Sequence, residues 1–377
     1  MGRLPDVDAV LATLRAVASP PTAPFHEGRV LNAIRRELEA RGLAVHADRY
    51  GQLFARRHQG ASRRALVLVA HTDHPAFDVV SARGTEGRVR VRGGLEPRCF
   101  ASRVPVVVHH DDGRAPFAAV LDDFVFDLEL TNSSPGHTRI RAERPLEAGM
   151  WAVMDIPSLE RRADELAMRA ADDLALCALS ILTLEALAAE RAAFDVHAVF
   201  TRAEEPGLFG ARLIAAEGGI PADAYVVSLE ASRALQHAPA GRGIVIRVGD
   251  FHNTFSNQAE RYLRVAQERL FLRGIPTQRA LLTGGTCEAS AFVRLGWTAT
   301  GVALPNTNYH NAGPEDRFVP EVVRLSDLMS GIALLVEATT AAGADESETW
   351  WPTAERVPDD IAALMRDTAP ASDTEDL

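Results

Sequence analysis

The sequence predicts an α/β fold in which a mostly parallel sheet is covered by helices on both faces and a small all-β domain is inserted. Outside residues 75–165, apolar runs of strand length alternate with segments of helical spacing. Within 75–165, short alternating strands are separated by Gly, Pro and Asp turns, which is typical of a small barrel or sandwich. A chain of 377 residues is also long enough to divide into two domains.

The elements of the α/β part follow from periodicity and length. The continuous apolar run ALVLVA has the length of a fully buried strand, and the segment ending at Gly42 has helical apolar spacing. The predicted elements are helix 27–42, strand 65–70, helix 170–190, strand 195–201, helix 207–216, strand 224–230, helix 257–273, strand 298–304 and helix 320–342.

The domain boundaries follow from the same patterns. Residues 1–74 and 166–343 are predicted to form a discontinuous α/β catalytic domain, with residues 75–165 as the inserted β domain. Residues 344–377 form an acidic tail, and we expect its last dozen residues to be disordered. Residues 345–377 hold ten acidic side chains and two arginines, so most of the net charge of −11 lies in this tail.

Composition excludes several classes of protein. All 40 basic residues are arginine, so chemistry that requires a lysine amine is excluded: Schiff-base enzymes, P-loop nucleotide binding and the leucyl type of zinc aminopeptidase. The sequence has no basic stripe with interleaved aromatic residues, so we do not expect it to bind nucleic acid. Its three cysteines are scattered, so we do not expect a disulfide framework. With no signal peptide and no long uncharged apolar run, we expect a cytoplasmic protein that does not bind membranes.

Acidic residues and histidines follow the buried strands, at the edge where an open α/β sheet binds its ligand. Each group has a simpler explanation alone: an aspartate pair at a helix start caps the helix, and glutamates in turns are usually solvated. Five such groups at one edge favour a site for paired divalent metals such as zinc, cobalt or manganese. They are His71 with Asp73, Asp172 with Asp173, Glu204 with Glu205, Glu230, and His310.

These residues, with the return sequence EAGMWAVMDIP…AMRAADD, resemble the tetrahedral-assembly aminopeptidases, the glutamyl and deblocking family of co-catalytic zinc peptidases. The resemblance covers about residues 5–342 and includes the insertion between the His-x-Asp and Asp-Asp stretches. It implies a homo-oligomer that hydrolyses amino-terminal residues from peptides, with the β insertion as docking element.

The resemblance also implies a role for each position. His71 and His310 would each bind one metal, Asp172 would bridge both, and Glu205 and Glu230 would each complete one metal's shell. Glu204 would be the general base that takes a proton from the metal-bridging water, and Asp73 would hold His71. Glu288 is a weak candidate for binding the free substrate amine.

The sequence departs from the family in ways that leave substrate specificity open. Glu230 stands where aspartate is commonest, and His74 replaces a usual acid. The stretches at 286–288 and 308–311 also differ from the family pattern, as does the Leu-Ala-Leu after Asp173. A binuclear amidohydrolase acting on N-acyl amino acids or a specialised small peptide is therefore an alternative. A non-catalytic metal-binding or assembly protein is another, and a glycosidase is disfavoured because adjacent glutamates seldom flank one bond.

Overall fold

The computed structural model describes residues 4–131, 134–346 and 357–369. The helices are α1 (Val7–Ala18), α2 (Gly28–Ala40), α3 (Ala171–Ala186), α4 (Phe209–Glu217), α5 (Asn257–Leu272), α6 (Glu288–Arg294), α7 (Leu325–Ala344) and α8 (Asp359–Asp367). The strands are β1 (Val45–Ala47), β2 (Leu53–Gln59), β3 (Ala65–His71), β4 (Ala76–Arg83), β5 (Glu86–Arg92), β6 (Val104–His109), β7 (Phe117–Thr131), β8 (Ser134–Ala142), β9 (Trp151–Met154), β10 (Leu159–Arg162), β11 (Glu165–Met168), β12 (Phe194–Thr201), β13 (Tyr225–Arg233), β14 (Ile244–Gly249), β15 (Thr277–Leu281), β16 (Ala299–Asn306) and β17 (Glu321–Arg324).

The main sheet has eight strands in the order β1-β2-β12-β3-β13-β16-β14-β15. Its centre, β12-β3-β13-β16, is parallel, whereas β2 pairs antiparallel with β12 and β14 antiparallel with β16. The predicted α/β class with a sheet that contains a parallel core is thus confirmed. The parallel centre is what brings the carboxyl ends of β3, β12, β13 and β16 to one edge.

Helices cover both faces of this sheet because its central strands are apolar on both sides. In β3, Leu66 and Leu68 pack into the core formed with α1, α2, α3, α5 and α7, whereas Val67 and Val69 pack into the core formed with α4 and α6. Helix α7 is apolar and long enough to cross a membrane by length and composition, but 83% of its apolar window is buried inside the protein. It therefore has the burial expected of a core helix.

Strands β4, β5, β8, β7, β6 and β9 close into a barrel in that order. Alternate residues of these strands, such as Phe77, Val91, Val106 and Leu121, fill its interior. The sequence predicts two short strands, APFAAVL at 115–121 and FDLELT at 126–131, but the structure joins them in the single strand β7. The domain boundaries at 75 and 165 stay a prediction.

A third sheet, β10-β11-β17, corrects one prediction. The helix expected over 320–342 begins only at Leu325, because residues 321–324 alternate between buried and half-buried and pair antiparallel with β11. The disorder expected for the last dozen residues falls mainly on 370–377, which lie outside the described residues. Residues 359–367 form α8.

Candidate metal centre

The predicted site residues lie at the carboxyl edge of the parallel strands. His71 ends β3, Glu230 lies in β13, and Glu204 and Glu205 follow the end of β12. Asp172 lies at the start of α3, which packs against β3 and β13. His310 follows β16 in a short 3₁₀ turn, Tyr309–Asn311. The two strand ends that carry His71 and the glutamate pair are hydrogen-bonded neighbours, because Thr201 pairs with His71 across β12 and β3.

Two trios of possible ligands share one aspartate. Ligand atoms of His71, Asp172 and Glu230 lie within 4.8 Å of one another, and so do those of Asp172, Glu205 and His310. The Nε2 atom of His71 is 3.2 Å from Asp172 Oδ1, and Nε2 of His310 is 3.4 Å from Asp172 Oδ2. The structure therefore brings together all five predicted ligands, with Asp172 common to both trios.

The unpaired oxygens of this cluster suit cations. Asp172 Oδ2, Glu205 Oε1 and Glu230 Oε2 are buried and have no hydrogen-bond partner in the structure. A buried carboxylate oxygen without a partner is costly, and a divalent cation removes that cost. Carboxylates with imidazoles are also ligands that suit zinc and similar metals. The residues present thus fit a pair of divalent ions.

Burial and mutual repulsion govern the acid–base behaviour of the cluster. Burial, followed by the charges of neighbouring carboxylates, raises the pKa of Glu204, Glu205 and Glu230 well above the ordinary value. Burial also opposes ionisation of Asp172, but the nearby imidazoles of His310 and His71 hold its pKa below the usual range. Asp172 is therefore the carboxylate most readily ionised in this group.

Glu204 lies beside the ligands and faces the cleft. Its Oε2 is 3.9 Å from His71 Nε2, and its side chain is only slightly exposed. The preceding Ala203 has a left-handed backbone, with φ of 52°, and Leu208 closes the turn by donating its N–H to the Glu204 carbonyl. This turn places the buried Glu204 carboxylate between His71 and the cleft.

Asp73 contacts more than His71. The Nδ1 atom of His71 is 3.2 Å from the main-chain carbonyl of Asp73 and 3.5 Å from its carboxylate. The same carboxylate accepts the N–H groups of Glu204 at 2.9 Å and Glu205 at 3.1 Å. One buried carboxylate thus orients His71 and the turn that carries both glutamates.

Two further buried carboxylates lie beside the cluster: Asp173, which the sequence singled out without a role, and Glu321, which sequence reasoning missed. Asp173 accepts the N–H of His71 at 3.2 Å and that of Ala231 at 3.1 Å, which ties β3 to β13 beside the site. Glu321 accepts the N–H groups of Asp172 and His310. The position of Asp173 next to Asp172 was a signal that it lies near the cluster. Nothing in the sequence pointed to Glu321, because its segment was predicted to be a helix.

The barrel also reaches the site through Gly93 and Gly94. The carbonyl of Gly94 accepts from Nδ1 of His310 at 2.9 Å. A Cβ added at Gly93 would lie 3.1 Å from Glu205 Oε2, and one at Gly94 would lie 3.3 Å from the His310 ring. Glycine at both positions therefore permits the close approach of the barrel to this trio.

Two residues singled out in the sequence lie near the cluster. His74 is buried between the carbonyl of Asp172 and the Oδ1 atom of Asn311, and burial lowers its pKa to about 4. Glu288 is fully buried and accepts from the Thr201 hydroxyl at 2.6 Å. Burial raises the pKa of Glu288 to about 7. A carboxylate without exposed surface is poorly placed to bind a substrate amine from the cleft.

The cluster opens into a large cleft of about 1340 Å³, whose lining includes Glu204, Glu205 and His310. The cleft wall also carries Arg212 and Arg294. A smaller cavity adjoins Glu230 and is lined in part by Arg233, Arg247 and Tyr309. The buried Arg247 donates to Ser232 Oγ and to the Gly285 carbonyl. The cluster of carboxylates and imidazoles therefore borders an open cleft.

Comparison with known proteins agrees with this geometry. Residues 137–320 match the model of the M42 glutamyl aminopeptidase family. The fold is similar to an aminopeptidase of Desulfurococcus kamchatkensis (21% identity, TM-score 0.72, covering 93% of this chain and 98% of that one) and to the TET1 peptidase of Pyrococcus horikoshii (20%, 0.71, 88% and 99%). It is also similar to a Thermotoga maritima protein described as an endoglucanase (18%, 0.61, 88% and 97%). No curated protein matches the chain significantly by sequence.

These matches confirm two predictions. The resemblance to the glutamyl aminopeptidases is confirmed, and so is the class of enzyme, a peptide-bond hydrolase. The Pyrococcus protein is described as assembling into a tetrahedron or a large octahedral shell.

Proposed function

We propose that this chain, a peptide-bond hydrolase of the M42 glutamyl aminopeptidase type, is a two-metal aminopeptidase that removes amino-terminal residues from peptides. The observation that carries the proposal is the sharing of Asp172 between two trios, each with unpartnered carboxylate oxygens. His71 and Glu230 would hold one ion, His310 and Glu205 the other, and Asp172 would bridge them. When bound, the two ions, zinc or else cobalt or manganese, would activate the attacking water and polarise the scissile carbonyl.

The protein's own contribution is proton transfer and orientation. Glu204 would accept the proton of the attacking water and deliver it to the leaving amine, because its carboxylate borders both the ligands and the cleft. Asp73 would keep His71 and the Glu204–Glu205 turn in place through the contacts described above. The buried surroundings of Glu204 exclude most water from the carboxylate, which strengthens its interaction with the reacting atoms.

Two glutamine variants test the roles of the adjacent glutamates. Glu204→Gln should retain two ions per chain and lose turnover of aminoacyl-nitroanilides on the order of a hundred- to ten-thousandfold. Glu205→Gln is the matched control, since it should lose one ion per chain by elemental analysis. Turnover in Glu204→Gln near the wild-type rate would show that another group is the base.

The amidohydrolase alternative is supported by the unusual stretches at 286–288 and 306–311, of which Thr286, Tyr309 and His310 line the cleft. Comparison of kcat/KM for aminoacyl-nitroanilides with that for N-acetyl amino acids separates the two functions. A preference for the blocked substrate would favour the amidohydrolase. A wild-type protein that binds metal and hydrolyses neither substrate would instead favour a non-catalytic metal-binding or assembly protein.

The proposal extends to assembly. We propose that the barrel acts as an inserted domain and as the docking element of a cytoplasmic homo-oligomer, as the sequence resemblance implies. Light scattering should give a mass well above that of one chain. A single-chain mass at micromolar concentration would contradict this part of the proposal without affecting the assignment of the site.

A further inference from the structure

Glu321 is a buried carboxylate that binds the main chain at two proposed ligands. It begins strand β17 and is fully buried. Its Oε2 accepts the N–H of Asp172 at 3.0 Å, and its Oε1 accepts the N–H of His310 at 2.8 Å and the Asn306 side-chain amide at 2.9 Å. In the part of the chain that the structure describes, no arginine or histidine forms an ion pair with it. Its partners are therefore the main-chain N–H groups of the two proposed ligands and one side-chain amide.

The segment before Glu321 supports the turn that carries His310. His310 has a left-handed backbone with φ of 54°, and Asn308 and Asn311 have φ of 59° and 60°. Such conformations cost free energy in residues other than glycine and persist only when neighbouring contacts hold them. The Asn308 amide donates to the Pro320 carbonyl, and the Asn311 carbonyl accepts the N–H of Val319. Glu321 completes this support at His310 itself.

We infer that Glu321 is a positioning residue that holds Asp172 and His310 at the spacing required by the bound ions. The inference rests on the proposed function only for the identity of the ligands. Each carboxylate oxygen of Glu321 serves one ligand residue, so a single rigid group fixes their separation. Glutamine would present an NH₂ group to an N–H donor and would lose one of these bonds. Since Asp172 is shared, the loss should weaken binding of both ions.

The chain offers a matched control in Asp327. This aspartate of α7 is buried and accepts the N–H groups of Gly241 and Gly243, each at 2.7 Å. Like Glu321, it is a buried carboxylate that holds two main-chain N–H groups, but none of its bonded partners is a proposed ligand. Asp327→Asn thus reproduces the structural cost of losing such a carboxylate without disturbing the metal centre.

The test is the Zn²⁺ affinity of the chelator-treated full chain, measured by competition with a chromophoric chelator. Glu321→Gln should bind Zn²⁺ about tenfold to a hundredfold more weakly than wild type, the usual effect of removing a group that orients metal ligands. Asp327→Asn should stay within twofold of wild type. Wild-type affinity in a folded Glu321→Gln, or equal losses in both variants, would overturn the inference.

A second variant covers a failure to fold. If Glu321→Gln does not fold, Glu321→Asp tests the inference instead. The aspartate side chain is shorter by one methylene and should not reach the N–H groups of both Asp172 and His310. Unchanged Zn²⁺ affinity in this variant would overturn the inference. The readout also separates this inference from the proposed function. A wild type that binds two ions but hydrolyses no aminoacyl substrate contradicts the function and leaves the role of Glu321 intact. A wild type that binds no Zn²⁺ contradicts both.

Discussion

Replacing Glu288 by glutamine should remove a pH-dependent part of the free energy of unfolding. Glu288 is fully buried, and burial raises its pKa from 4.5 to about 7 in the metal-free protein. Between these values the folded chain retains a proton that the unfolded chain has lost. The stabilising contribution is therefore complete below pH 4.5 and is lost as pH rises toward 7.

The change in the free energy of unfolding follows from the difference in the pKa of Glu288 between the folded and unfolded chains. One pKa unit corresponds to about 1.4 kcal/mol, so the difference between 4.5 and about 7 corresponds to roughly 3 kcal/mol. Glutamine can still accept the Thr201 hydroxyl through its amide oxygen but does not ionise. The variant should therefore gain roughly 3 kcal/mol relative to wild type between pH 4 and pH 9.

The assay is urea unfolding of both chelator-treated proteins across this pH range, so that titrating groups remote from Glu288 cancel in the difference. A difference that stays constant with pH would refute the reasoning, because it would mean that Glu288 does not titrate differently in the folded chain. The same variant tests the role weakly expected from the sequence. Because Glu288 has no exposed surface, we expect KM for aminoacyl substrates to change less than threefold.

Three further predictions concern a buried carboxylate beside His71, the proposed ions and the packing at the end of helix α7. Asp173→Asn should lower the free energy of unfolding by about 1–3 kcal/mol in urea, because one buried N–H beside His71 loses its acceptor. Removing bound metal with a chelator should lower the melting temperature more at pH 8 than at pH 5. The pKa values of Glu204, Glu205 and Glu230 are raised, so at pH 8 these buried carboxylates lose protons that stabilise the metal-free protein at pH 5. An equal loss at both pH values would contradict this. Gly343→Ala should lower the melting temperature by several degrees, since its Cβ would lie 1.8 Å from the Ala193 carbonyl oxygen; an unchanged value would show that the backbone moves freely there.

The sequence predicted the elements that local patterns determine. The strand ending at His71 is apolar on both faces and bounded by polar residues, so its length and burial could be recognised without tertiary information. The proposed ligands could be located because each was predicted at or just beyond the end of a strand or at the start of a helix. The sheet edge then brings them together regardless of loop detail.

The positioning groups could not be predicted, because their partners lie far away in sequence. Residues 321–324 have apolar neighbours compatible with a helix, and it is pairing with the distant β11 and Thr307 that makes them a strand. The main-chain N–H groups bound by Glu321 leave no trace in the sequence. The bond from Gly94 to His310 likewise depends on how the barrel docks, which no local pattern encodes.

That bond has a consequence for the order of folding. The trio of Asp172, Glu205 and His310 includes a histidine whose orientation depends on a carbonyl of the barrel, in a segment remote in sequence. Contacts of such long sequence separation form late, since they require large loops to close first. The ion proposed for the His310 trio should therefore bind at full affinity only after the barrel has docked, whereas His71 is oriented by Asp73 and Asp173, which lie outside the barrel. Newly made chains would then acquire their two ions in sequence.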